Sequence, residues 1–116
     1  MNDGQVIALS GPQGILVPRV TVARSFLRRA KGRLFTSEFP MGEGLLLIPC
    51  NEIHMLGMKY ALDIVFLDRD LSILAVRPNL AVGTLRLACA GAWATLELPV
   101  GTLDARWKAG TKLVAN

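Results

Sequence analysis

Residues 49–63 read PCNEIHMLGMKYALD and gather the chain's only His, its only Tyr, one of its two Cys and two of its four Met. Such a stretch suits three things: a metal site, a Cys/His nucleophile pair, or an ordinary bend between two strands. In extended chain Cys50, Glu52 and His54 point to one face. The spacing then separates them, because positions four apart on a strand lie ~13 Å apart at a rise of ~3.3 Å per residue. A metal–nitrogen bond is ~2 Å and a Cys/His hydrogen bond ~3 Å. A helix would bring i and i+4 together, but Gly57 breaks that pattern. The stretch is therefore not a self-contained site, and with no CxxC or CxxH spacing anywhere, no metal is expected.

His54 is still open to a partner from a neighbouring strand. Asp63 is the first candidate if residues 50–56 and 62–68 pair as a hairpin, since a carboxylate there would orient the imidazole and raise its pKa. In the bland reading His54 makes a structural hydrogen bond, Asp63 accepts from backbone N–H groups at the bend, and Met55 and Met58 fill gaps in the core or its rim. In the functional reading His54, Asp63, Met58, Glu43 and Arg77 line a ligand cleft near the Gly42-Glu43-Gly44 loop.

Other chemistries find little support. There is no GxSxG, and no Ser/His/Asp set assembles. GPQG and MGEG are turn glycines that lead into no GKS or GKT, so no phosphate-cradling loop is present. The acids Glu43, Asp68 and Asp70 sit in turns, a poor basis for a two-carboxylate hydrolase. No catalytic residue is assigned and no cofactor is expected.

The second candidate is a cluster of cations. Residues 1–40 hold Arg19, Arg24, Arg28, Arg29, Lys31 and Arg33 against Asp3 and Glu38, 6 − 2 = +4, which is the whole net charge of the chain. Arg24, Arg28, Arg29, Lys31 and Arg33 could hold phosphates, anionic lipid or an acidic protein surface; the bland alternative is a solvated helix face. Nucleic acid is disfavoured, because Phe26 and Phe35 look like core anchors and leave no stacking platform. Arg77, beside Pro78, and Arg86 join the patch if the fold brings them near.

These residues need a frame. VIALS and GILVPRVTVA read as two strands around the turn Gly11-Pro12-Gln13-Gly14. SFLRRAKGRLF reads as a helix of about two turns, with Ser25 as N-cap, Gly32 as stop, and Phe26, Leu27 and Ala30 on its apolar side. Arg24, Arg28 and Lys31 would share the solvent face. GLLLIP suits a strand buried on both faces, and DIVFLD with DRDLSILAV a hairpin turning at Asp68-Arg69-Asp70. GTLRLA, AWATLELPV and KAGTKLVA add short strands, and Val100 to Trp107 a helical turn capped by Thr102. The sum is a β-rich α+β domain: a small, partly closed antiparallel β-barrel with one flanking basic helix and a short C-terminal helical turn.

At 116 residues the chain is expected to form a single domain spanning 1–116. Hydrophobic residues make up 52% of it, which implies a well-filled core or an apolar patch covered by a ligand or partner. A bilayer span is not expected, because Arg86 and Glu97 bracket the densest apolar run. MNDGQVIALSGPQG lacks the basic leader of a signal peptide, so a cytoplasmic location is expected. There Cys50 and Cys89 would be two thiols rather than a disulfide.

The ordered series of these pieces resembles the family called domain of unknown function 192, over roughly residues 18–114. The resemblance rests on the Arg-rich helix ending near Gly32, the Met41-Gly42-Glu43-Gly44 loop, His54 with Met58, and Leu62-Asp63 with Phe66 and Asp68. Leu96 to Pro99 with Gly101, and Gly110 to Leu113, complete it. Two departures stand out: Ala61 where the family commonly has Pro, and Leu71 where it has Gly. Since a non-Gly residue is uncomfortable at positive φ, Asp70 is expected to take the left-handed position, or the turn to be one residue longer. The resemblance implies the architecture and no agreed activity. The leading expectation is a non-enzymatic binding or accessory module for a small ligand or acidic partner near His54 and Asp63. The alternatives are a small hydrolase using His54 and Asp63, and a weak nucleic-acid binder through residues 24–33.

Overall fold

A computed structural model describes residues 1–34 and 36–116. The chain is mostly β. In order the elements are β1 (Val6–Gly11), β2 (Gly14–Ala23), α1 (Phe26–Lys31), β3 (Glu43–Leu47), β4 (Glu52–Ile53), β5 (Leu62–Leu67), β6 (Ile73–Leu80), β7 (Leu87–Ala88), β8 (Ala94–Pro99) and β9 (Val114–Ala115). A 7-stranded sheet runs β6-β5-β8-β3-β2-β1-β9, and β4 and β7 form a separate ribbon.

β1 and β2 make the expected hairpin, as do β5 and β6. The sheet is mixed, not wholly antiparallel: β3 lies parallel to β2, because α1 and the loop after it carry the chain back to the same end of the sheet before β3 begins. The sheet curls into a half-barrel that does not close. Near the open seam the C-terminal segment meets the start of β6, where Ile73 N–H donates to Thr111 O (2.8 Å) and Leu113 N–H to Leu71 O (2.9 Å). β9 then continues onto the edge of β1.

Alternation along the strands sorts side chains onto two faces. Val65 and Leu67 of β5 and Leu96 and Leu98 of β8 join Leu9, Val22 and Trp107 in the core inside the curl. Leu62, Ile64 and Phe66 of β5 fill a second cluster on the opposite face, and Leu45 and Leu47 of β3 a third. The segment from α1 to β4 lies over that second face.

Three expectations need correction. Residues 100–107 are a chain of turns, not a helical turn; Thr102 Oγ1 donates to Pro99 O (2.7 Å) while Trp107 is buried in the core. In the β5–β6 connection Leu71 itself takes the left-handed conformation at φ 63°, not Asp70. Asp68 Oδ1 accepts from Asp70 N–H and Ser72 N–H, both at 2.9 Å, and that frame holds Leu71 where its side chain is buried. Finally, Phe26 is not a core anchor, being 75% exposed, and Leu27 beside it is 80% exposed; Phe35 lies outside the described residues.

Candidate functional site

No residue of α1 is buried, so apolar packing cannot be what holds the helix. Polar ties do. Ser25 Oγ accepts from Arg28 N–H (3.2 Å), the N-cap bond anticipated from the sequence. Asp3 Oδ1 accepts from Arg24 N–H (2.8 Å) and Ser25 N–H (3.0 Å), and its carboxylate pairs with Arg28 Nε (3.1 Å). These two backbone donors, then the guanidinium, hold the Asp3 pKa down at about 2. On the other side Arg29 Nη1 donates to Pro49 O (3.3 Å), which ties α1 to the end of β3.

Between α1 and the β3–β4 segment lies a cleft of about 250 Å³. One wall carries Arg29, Lys31 and Arg33; the other carries Glu52 and His54; Leu47, Ile53 and Met58 supply apolar lining. Phe26 and Leu56 stand at its mouth with much of their surface in solvent. Leu85, 74% exposed, follows Thr84, whose carbonyl accepts from Met55 N–H (2.8 Å).

At the base of the cleft is Glu97, the fourth residue of β8, only 7% exposed. Its pleat neighbours are Leu45 on β3 and Ile64 on β5, so the strands beside it bring no charge. The turn after α1 passes over the carboxyl: a Cβ on Gly32 would stand 3.6 Å from Glu97 Oε1, and Gly32 is at φ 48°. Glycine meets the positive φ, while the spacing to the carboxyl is ordinary van der Waals contact. Glu97 Oε1 has no hydrogen-bond partner among the described residues. Burial pushes its pKa from 4.5 up to about 7, with Arg33 pulling the other way.

The residues singled out from the sequence divide. His54, Met58, Arg29, Lys31 and Arg33 come together around this cleft; Asp63, Glu43, Arg77, Arg24 and Arg28 do not line it. Arg33 is largely committed, with Nη2 donating to Glu38 O (2.6 Å), Nε to Tyr60 Oη (3.3 Å), and the guanidinium 3.9 Å from the centre of the Phe39 ring. Arg24 is held to the N-terminal segment through Met1 O (3.3 Å), as Arg28 is through Asp3. Glu43 pairs with Arg19 (3.0 Å) at the far end of β3, and Arg77 is exposed on β6.

The expected His54–Asp63 pair does not form. β4 pairs with β7 rather than with β5, and Asp63 lies on the β5 face shared with Val65 and Leu67, across the sheet from the cleft. Asp63 is 2% exposed. It accepts from three backbone donors, Asn79 N–H (2.8 Å), Leu103 N–H (3.0 Å) and Gly101 N–H (3.2 Å). His54 is exposed, and its Nδ1 accepts from Leu56 N–H (3.3 Å), which leaves Nε2 as the donor of the neutral ring. Cys50 and Cys89 are both unpaired thiols. Among the described residues no three His, Cys, Asp or Glu side chains converge as metal ligands. No helix there is long and apolar enough to cross a membrane.

Glu97 is the site residue that sequence reasoning missed. Its signal was a lone acid in the strand ATLELP, where every other residue is apolar or Thr.

Two solved structures share the fold. A Novosphingobium aromaticivorans protein of unknown function is 29% identical, with a TM-score of 0.79, over 94% of this chain and 83% of that one. A Sinorhizobium meliloti protein described as a "putative transcription regulator" is 19% identical, with a TM-score of 0.81, over 95% and 92%; at that identity the likeness carries the fold alone. No curated protein matches the chain. The profile of DUF192, described as an uncharacterised ACR, matches residues 8–115, and the chain belongs to that family.

Proposed function

We propose that the chain is a non-enzymatic binding module that takes a small amphipathic organic anion in the cleft between α1 and β4. The observation that carries this reading is the pairing of a cationic wall, Arg29 with Lys31, with apolar side chains left in solvent at the mouth, Phe26 and Leu56. Exposed Phe and Leu beside a cleft suggest that something apolar covers them when the site is filled. The cations then select a ligand with a negative head. A cytoplasmic setting fits two unpaired thiols. The hydrolase alternative has lost the His54–Asp63 contact it needed. A nucleic-acid surface would draw on Arg24 and Arg28, which already serve the N-terminal segment.

Octanoate is a suitable probe. Added to labelled protein, it should shift the amide signals of residues 29–34 and 52–58 together, and Arg29→Glu with Lys31→Glu should weaken binding at least tenfold. Shifts scattered over the sheet, or equal binding by the charge-reversed protein, would overturn the reading.

A further inference from the structure

Glu97 is a buried carboxyl that opens onto a cleft and lacks a donor for Oε1 among the described residues. The charged and titratable groups around it are few. α1 brings Arg29 and Lys31, the turn after it Arg33, the turn after β3 Cys50, β4 Glu52, and the residue after β4 His54; β3 and β5 present Leu45 and Ile64. Most are engaged: Arg33 by Glu38 O and Tyr60, Glu52 by Arg86, Arg29 by Pro49 O, and the Cys50 thiol by Glu52 O (3.3 Å). No ion pair is formed by Glu97 itself among the described residues. A carboxylate so placed would be both desolvated and short of donors, whereas the neutral acid carries its own donor into the cleft.

We propose that Glu97 meets the ligand of this cleft as an uncharged carboxylic acid, donating a hydrogen bond to the anion, so that binding takes up a proton. The inference rests on the cleft being an organic-anion site and names how that site is regulated. The balance is simple: where Glu97 is ionised beforehand, one proton comes from solvent, stays on its carboxyl, and bridges to the carboxylate of the ligand. An acid poised near pH 7 makes affinity respond to small changes in pH. An ionised Glu97 in the same place would instead repel the anion that Arg29 and Lys31 attract.

The test is calorimetric titration of the full chain with octanoate between pH 6 and 8, a range in which the probe itself stays ionised. If only the neutral acid is competent, apparent affinity should fall about tenfold from pH 6 to pH 8, following the protonated fraction of a group titrating near 7. At pH 7.5, binding enthalpies in buffers of different ionisation enthalpy should report proton uptake. Glu97→Gln keeps a donor of the same shape and removes the titration, so its affinity should be flat with pH. Since His54 also lines the cleft, His54→Gln is the control and should keep the wild-type slope. A flat wild-type profile with binding intact, or a slope that vanishes in His54→Gln and survives in Glu97→Gln, overturns the role of Glu97 and leaves the cleft reading standing. Absence of binding at every pH overturns both.

Discussion

Replacing Asp63 separates a structural acid from a ligand-binding one. Its two oxygens accept from Asn79, Gly101 and Leu103, which tie β5 to the end of β6 and to the turns after β8. Asp63→Ala leaves three donors without their acceptor inside the protein, and each costs about 1–3 kcal/mol when left unsatisfied. Partial entry of water keeps the sum near the lower half of that range, about 3–6 kcal/mol. This is a large share of the ~5–15 kcal/mol that holds a typical domain together. Asp63→Asn keeps one carbonyl oxygen and turns an amide N–H₂ toward the remaining donors, so it should cost roughly half as much. Urea unfolding is the assay. With a slope of about 1.5 kcal/mol/M, the Ala variant should lose at least about 2 M in midpoint at unchanged slope. Folded Asp63→Asn should bind octanoate like the wild type, since the sheet stands between Asp63 and the cleft. A midpoint moved by less than about 0.5 M, or a folded Asn variant that no longer binds, would refute the reasoning.

Further outcomes are open to measurement. The Glu97 pKa is raised on folding, so the native state holds a proton that the unfolded chain releases between pH 4.5 and about 7. Relative to Glu97→Gln, wild-type stability should be greatest below pH 4.5 and decline by about 3 kcal/mol as pH rises through 7; parallel curves for the two proteins would exclude this. Asp3 shifts the other way, so its hold on α1 should be present above pH 3.8 and fade as pH falls through about 2. In Asp3→Asn, amide exchange at residues 28–32 should accelerate while β5 and β8 stay protected, and uniform exchange would argue against a local role. Leu71→Gly relieves the left-handed φ, worth about 1 kcal/mol, but removes a buried side chain worth about 2–3 kcal/mol. Thermal unfolding should show net destabilisation, and a raised melting temperature would mean that the Leu71 side chain contributes little.

Strands were the readable part of this chain because burial imposes a pattern on them. GILVPRVTVA, GLLLI and LDIVFL could hardly be anything else, and the Asp68 turn announces the β5–β6 hairpin. The pairing of β2 with β3 in parallel was not readable, since it depends on where the α1 segment returns the chain, a long-range event without local signature. Ser25 and Gly32 flank α1, yet the helical spacing of Phe26, Leu27 and Ala30 does not mark a buried face: polar ties hold the helix while its apolar residues stay outside. The site was half legible. His54, Met58, Arg29, Lys31 and Arg33 were picked by residue type, and they do meet. Asp63 was wrongly joined to them because one register step on β5 decides which side of the sheet it occupies. Glu97 went unnoticed as a site residue because a single acid in a strand looks like a surface position until the neighbouring elements are known to cover it.

Residues 110–116 touch both flanks of the curled sheet. Residues 110–113 hydrogen-bond around Leu71 and Ile73 at the start of β6, and Val114–Asn116 bond to Ala8, Leu9 and Ser10 of β1. Until residues 110–116 dock, the start of β6 and the free edge of β1 both lack these backbone partners. Removing residues 110–116 should yield a protein that self-associates, not a slightly weakened monomer.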